Sequence, residues 1–224
     1  MLGFMHARMG CRNEAHDHLG SALDLSAKLG HGPMQAHVHS IMADILDRQA
    51  RPADALRHGQ RALDLCREAG DLRGEARARA NVGWYHCQLG DHQQALTYCE
   101  EALGQLRELG NHYMQANVWD TIGYVHQQLG NPQQASDCYR FALTLIRRTG
   151  GRLSEAEILV HIGDHHLAVG DPAAARTAWR DALVIFDDLA HPQASELRVR
   201  LDSLPVHGGL VIEDRAPQRA DRAA

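Results

Sequence analysis

Residues 116–143 read ANVWDTIGYVHQQLGNPQQASDCYRFAL, and this stretch decides the fold. Its first half, Trp119-x-x-Ile122-Gly123-x-x-His126, and its second half, Ala135-x-x-x-Tyr139-x-x-Ala142-Leu143, each repeat apolar residues at three- and four-residue spacing. That is the period of an amphipathic helix. Leu129-Gly130-Asn131-Pro132 separates the halves, too short for anything but a tight turn between antiparallel helices. The same pattern recurs at a fixed interval. Gly83, Gly123 and Gly163 are 40 residues apart (123 − 83 = 163 − 123 = 40), as are Gly90, Gly130 and Gly170, and Ala15, Ala55, Ala95, Ala135 and Ala175. A period in this range marks a solenoid of stacked helix pairs, an all-α fold without separate domains.

Punctuation supports this reading. Gly30, Gly70, Gly110 and Gly150 fall where the second helix of each unit should stop, and Asp71 and Asn111 follow as N-caps. Gly90-Asp91, Gly130-Asn131 and Gly170-Asp171 repeat the device at the inner turn. Pro52, Pro132 and Pro172 stand at a first helical position, where the missing N–H costs nothing. In the second unit Ala50 replaces the turn glycine and Gly59 replaces the large apolar residue, so that unit is the most degenerate. The expected helices are 12–29, 33–49, 52–69, 72–89, 92–109, 112–129, 132–149, 152–169 and 172–189. Leu197, Leu201 and Leu204 line one face of a further helix, 192–204, that should cap the stack.

The solenoid therefore spans 1–204: a partial first unit 1–30, units 31–70, 71–110, 111–150 and 151–190, and a capping helix 191–204. The mostly polar run 205–224 reads as a disordered tail. The phase extended backwards puts the start of a whole first helix before Met1, and Leu2, Phe4 and Met5 lack apolar partners. The chain is thus expected to be a piece of a longer protein or to carry a misplaced start, and its apolar N-terminal end offers a surface for a second copy.

W-x-x-L-G-x-x-Y followed by A-x-x-x-F is the tetratricopeptide repeat (TPR) pattern, and residues 1–204 resemble it. The family's usual period is about 34; here it is 40, the difference lengthening both helices. The resemblance implies a right-handed superhelix. Gly74-Glu75-Ala76 with Asn81-Val82-Gly83, Leu89-Gly90-Asp91 through Leu96, and Trp179-Arg180-Asp181-Ala182-Leu183 resemble the C-terminal TPR arrays of actinobacterial regulators of the Streptomyces antibiotic regulatory protein type, often joined to a nucleotide-binding STAND module. The resemblance implies a sensor or scaffold arm of a bacterial transcriptional regulator; no DNA-binding part and no G-x-x-x-x-G-K-[ST] loop lies in this sequence. A stand-alone or self-associating adaptor, and a groove for a small molecule or signal peptide, remain as alternatives.

Composition narrows the function classes. A net charge of −5 and a pI near 6.3 lack the basic face of a nucleic-acid binder. No run of about 18 apolar residues is present to span a membrane. Cys11, Cys66, Cys87, Cys99 and Cys138 form no C-x-x-C pair, which reads as reduced thiols in a cytoplasmic protein. Lys28 is the sole lysine, a compositional sign of a GC-rich bacterial genome.

Chemistry is sparse. His161 and His165 share a helix face, but two ligands do not make a zinc site, so no metal is expected. Cys87 follows His86 directly, and adjacent helical residues diverge. With no nucleophile–base–orienter set, neither catalysis nor a cofactor is expected. His86, His126 and His166 are read as helix-packing residues. Arg79 stands where neighbouring units carry Trp119 and Leu159; either that unit packs loosely, or Arg79 reaches solvent or a carboxylate such as Glu75.

The resemblance assigns the first helix of each unit to the concave groove. The residues expected there are Arg77, Ala80, Trp84 and Gln88, then Asn117, Asp120, Tyr124 and Gln128, then Glu157, Val160 and Asp164, with His37, Ser40, Asp44 and Arg48 before them. Two aromatics among amides and both charges suit an extended peptide or protein segment, with Trp84, Tyr124, Asn117, Asp120, Gln88, Gln128, Arg77 and Asp164 as partner-binding residues. Trp119, Ile122, Gly123, Ala135 and Tyr139 would form the packing frame behind them.

Overall fold

The computed structural model describes residues 12–204. The sequence readings for 1–11 and 205–224 lie outside them. The described residues form α1 (Arg12–Lys28), α2 (Gly32–Arg48), α3 (Pro52–Ala69), α4 (Leu72–Gln88), α5 (His92–Glu108), α6 (His112–Gln128), α7 (Pro132–Thr149), α8 (Arg152–Ala168), α9 (Pro172–Asp188) and α10 (Gln193–Ser203). Each helix packs chiefly on its neighbours in sequence, as a solenoid requires. In addition α4 touches α6 and α6 touches α8, while no two second helices make comparable contact among the described residues. The first helices therefore crowd together on the inner side of the curve.

The turns follow the glycine punctuation. Gly70, Gly110, Gly130 and Gly150 all adopt positive φ, between 64° and 73°. Ala50 occupies the equivalent left-handed position at φ 54°, where its Cβ crowds the following carbonyl. Asp71 accepts the Gly74 N–H at 2.9 Å and Asn111 accepts the Met114 N–H at 3.1 Å. At the inner turns only Asp171 caps in this way, onto Ala174 N–H at 2.9 Å. Asp91 instead faces His86 Nδ1 at 3.3 Å.

Within each unit a small residue of the first helix sits under a larger one of the second. A Cβ on Gly123 would lie 2.9 Å from the Tyr139 ring, and one on Gly163 only 2.2 Å from Trp179 Cδ1. Tyr139 and Trp179 are both buried, and Trp179 donates to the Val160 carbonyl at 3.2 Å. The second unit reverses the arrangement. Ala43 fills the glycine position, and Gly59 on α3 opens a space that Tyr85 of the next unit occupies, 2.9 Å from where a Cβ would be. What looked like degeneracy in sequence is a compensating exchange.

The first position of the motif varies along the stack, and so does its partner on the second helix, 22 residues later for Arg79 and Trp119 and 19 for His39. Arg79 is buried, donates a hydrogen bond to Glu75 at 2.7 Å and forms an ion pair with Glu101, its Nε 3.2 Å away. This resolves the alternatives in favour of a carboxylate partner. Trp119 is only partly buried and tilts against the half-exposed Phe141 at 5.5 Å, so it closes the edge of the core and does not sit at its centre. His39 is half-buried and places Nδ1 2.9 Å from His58 Nδ1 across the α2–α3 pair. Of the histidines read as packing residues, His86 is buried and stacks on Tyr98. His126 and His166 are partly buried, and His165 is the more enclosed of its pair. Leu197, Leu201 and Leu204 of the C-terminal segment are buried against Trp179 and Phe186, the capping arrangement expected.

Two outcomes follow from this packing. Replacing Ala50 by glycine should relieve left-handed strain and raise unfolding stability by up to about 1 kcal/mol in denaturant titration. The His39–His58 bond needs at least one neutral ring. Burial, then the His58 and Arg61 charges, hold His39 down to about 4 from its ordinary 6.5. A depressed base contributes stability above pH 6.5 that is lost as pH falls towards 4. With solvent screening at this half-buried site, the loss between pH 7 and 4.5 should be about 1–2 kcal/mol. It should be absent from the pH–stability profile of His39→Leu, and so appear as the difference between wild type and that variant.

Candidate partner-binding groove

The inner layer is joined by side chains from units one period apart. Trp84 Nε1 on α4 donates to Asp47 of α2 at 3.2 Å, and Gln88 donates to the same carboxylate. The Trp84 and Tyr124 rings meet edge-on with centroids 6.0 Å apart. Tyr124 in turn lies 6.1 Å from the His161 ring. His161 Nδ1 bonds Asp120 at 2.8 Å. Asp164 accepts from Trp179 Nε1 at 3.0 Å and from Arg200, whose guanidinium also lies 4.3 Å over the Trp179 ring. A continuous strip of aromatic and charged groups thus runs from α2 to α10.

Five expected groove residues, Trp84, Gln88, Asp120, Tyr124 and Asp164, belong to this strip. Arg77 is exposed on α4, its charge acting on His37 and Asp44 of α2. Asn117 and Gln128 lie one turn before and one turn after Asp120–Tyr124 on α6, partly buried and exposed respectively. Ala80 is buried among Ala76, Leu103 and Ile122 and gives the groove no surface.

The sequence reading left out Asp47 and Arg200, and weighed His161 only as a metal ligand. The missed signal is a spacing of 41. Gln88–Asp47, Tyr113–Ser154 and His161–Asp120 are all separated by 41 residues, because successive first helices meet with a one-residue offset. His161 and His165 take different partners, Asp120 and Ser136. Among the described residues no three His, Cys, Asp or Glu side chains gather to hold a metal.

The electrostatics fit an enclosed, polar channel. Burial alone would lower His161, but the Asp120 carboxylate, with Asp164 and Glu157, raises it to about 9, so it is an imidazolium at neutral pH. Glu157 is open to water, yet enclosure by the groove walls pushes its carboxyl up, opposed by His161 and reinforced by Asp120. The charge of Arg48 on α2 also reaches Glu157 on α8. Burial pushes the Cys87 and Cys99 thiols up to about 12, which keeps them protonated and poorly nucleophilic.

The tetratricopeptide repeat family model matches residues 1–68, 42–108, 75–140 and 114–188. No curated protein sequence matches. Among solved structures, BtubC (BKLC) from P. vanneervenii is similar at 19% identity and TM-score 0.65, over 99% of this chain and 85% of that one. The apo form of RapI is similar at 14% identity and TM-score 0.70, over 91% and 76%. A Rap protein complexed with competence and sporulation factor gives 17% identity and TM-score 0.63, over 90% and 61%. Aspartyl phosphate phosphatase F from Bacillus subtilis gives 14% and 0.66, over 96% and 61%. At these identities the likeness is one of fold. No described helix is long and apolar enough to cross a membrane. Repeat motifs, helix-pair stacking and the family match along most of its length agree that this chain belongs to the tetratricopeptide repeat family.

Proposed function

We propose that residues 1–204 form a non-catalytic interaction module that takes an extended peptide or protein segment in its concave groove. The observation that carries this reading is the division of labour along α6. Asp120 is tied to His161, whereas the Asn117 and Gln128 amides and the Tyr124 hydroxyl make no side-chain hydrogen bond among the described residues. Side-chain amides can pair with the donors and acceptors of an extended backbone, and the Trp84–Tyr124 edge offers a surface for an apolar side chain. A Rap protein of similar fold is complexed with competence and sporulation factor, which agrees with a solenoid of this kind holding a second molecule. Catalysis finds no support in buried, protonated thiols and histidines engaged in packing.

The setting we propose is the sensor or scaffold arm of a bacterial cytoplasmic transcriptional regulator. It rests on the resemblance of residues 74–96 and 179–183 to regulator arrays.

Tagged wild type and the Asn117→Ala/Tyr124→Ala double variant distinguish the groove from the rest of the surface. Both residues are only partly buried, and Tyr124 packs on Cys87, Ala95 and Val125, so the double variant should stay folded with a lowered melting temperature. It should lose the partners that wild type captures, read by mass spectrometry of the bound fraction. Recovery of the same partners by a folded double variant removes the groove assignment.

A further inference from the structure

The capping helix does more than cover the last unit. Val160 of α8, Phe186 of α9, and Gln193, Glu196, Leu197 and Arg200 of α10 enclose an open notch at this end of the groove. We propose that this notch is an anchoring pocket for an aliphatic side chain carrying an adjacent ammonium group, the cationic end of the segment bound in the groove. The inference rests on the groove reading above.

The floor is apolar. Phe186 and Leu197 are buried, and Val160 is partly buried against them. Val160 lies one turn before Asp164 on the groove face of α8, so the notch continues the strip that passes through Tyr124 and His161. The rim decides the charge of the occupant. Arg200 is held by Asp164 and by the Trp179 ring face, and cannot turn to an incoming anion without giving up both. Glu196, one turn earlier on α10, is exposed and makes no ion pair among the described residues. Glu157, one turn before Val160 and His161 on α8, is also open to water. At this end Asp120, Glu157, Asp164 and Glu196 face His161 and Arg200, which are paired with Asp120 and Asp164, and the Arg48 charge also reaches Glu157. Glu196 is the carboxylate left in excess. At the opposite end the Arg77 and Arg48 charges act on Asp44. A bound segment therefore has a preferred direction, its cationic apolar end against α10.

Two small probes isolate the pocket in the full chain. Leucinamide carries an isobutyl group beside an ammonium, and N-acetylleucine carries the same group beside a carboxylate. Titration followed by ligand-observed NMR should give leucinamide roughly a fivefold advantage, the worth of one exposed charge pair. Glu196→Gln should bring the two probes close to parity, and Glu196→Arg should invert the preference. Glu196 is exposed, so both variants should melt as wild type does. Equal binding of the probes, binding of neither, or a preference indifferent to Glu196→Gln overturns the pocket. Neither Asn117 nor Tyr124 lines the notch, so the Asn117→Ala/Tyr124→Ala variant should bind leucinamide normally. Partner capture that depends on Tyr124, with leucinamide indifferent to Glu196, sinks the pocket alone. The reverse pattern sinks the groove reading and leaves the pocket standing.

Discussion

Everything in this solenoid depends on how closely the two helices of a unit approach. At Gly163 the space for a Cβ is already filled by the Trp179 ring, and at Gly123 by the Tyr139 ring. Each contact lets a large buried ring lie directly on backbone, which fixes the separation and crossing of the helix pair. Because each pair repeats that geometry, the first helices stack on one another with the same offset. The groove is the inner surface that results. The earlier units vary the rule: Gly83 faces the Cys99 sulfur, and Gly59 and Tyr85 perform across α3 and α4 what glycine and ring perform within the units of Gly123 and Gly163.

Polar side chains then tie one unit to the next. Asp47 holds Trp84 and Gln88, Asp120 holds His161, and Asp164 holds Arg200. Each is a hydrogen bond to a charged group at a partly enclosed site, stronger than a neutral pair and costly to leave unmade. These ties lie on the inner face and engage part of its polar chemistry. Under the proposed function, a partner would meet what the ties do not use: the amides of α6, the Tyr124 hydroxyl, and the carboxylates at the capped end. On that proposal, fold and recognition draw on the same helix faces.

The unit architecture was legible because its determinants are local. A glycine at positive φ, an N-cap and a first-turn proline each act within a few residues, so Gly70, Asp71 and Pro132 could be read directly. Arg79 was legible for the same reason, its partner Glu75 being one turn away. The resemblance named Trp84, Asp120 and Tyr124 on one face of the first helices, and these side chains lie in the strip that joins successive units. The ties were not legible. His161 and Asp120 meet only because helices from adjacent units stack with a one-residue offset, and no single helix encodes that offset. Trp119 was read as core because its unit-mates include leucine; its exposure depends on Phe141 standing where other units carry Arg61, Glu101 or Asp181.

The close approach within a unit is tested most directly by giving two helical glycines a methyl group. Gly104 lies in α5 with nothing within 4 Å of a new Cβ, so Gly104→Ala should raise stability by about 0.5–1 kcal/mol through helix propensity alone. Gly163→Ala gains the same propensity but drives a Cβ into Trp179, and should lower stability by about 1–3 kcal/mol. Opposite signs in parallel denaturant titrations are the expected result. A stabilising Gly163→Ala would contradict the account, because the helix pair would then not depend on that contact.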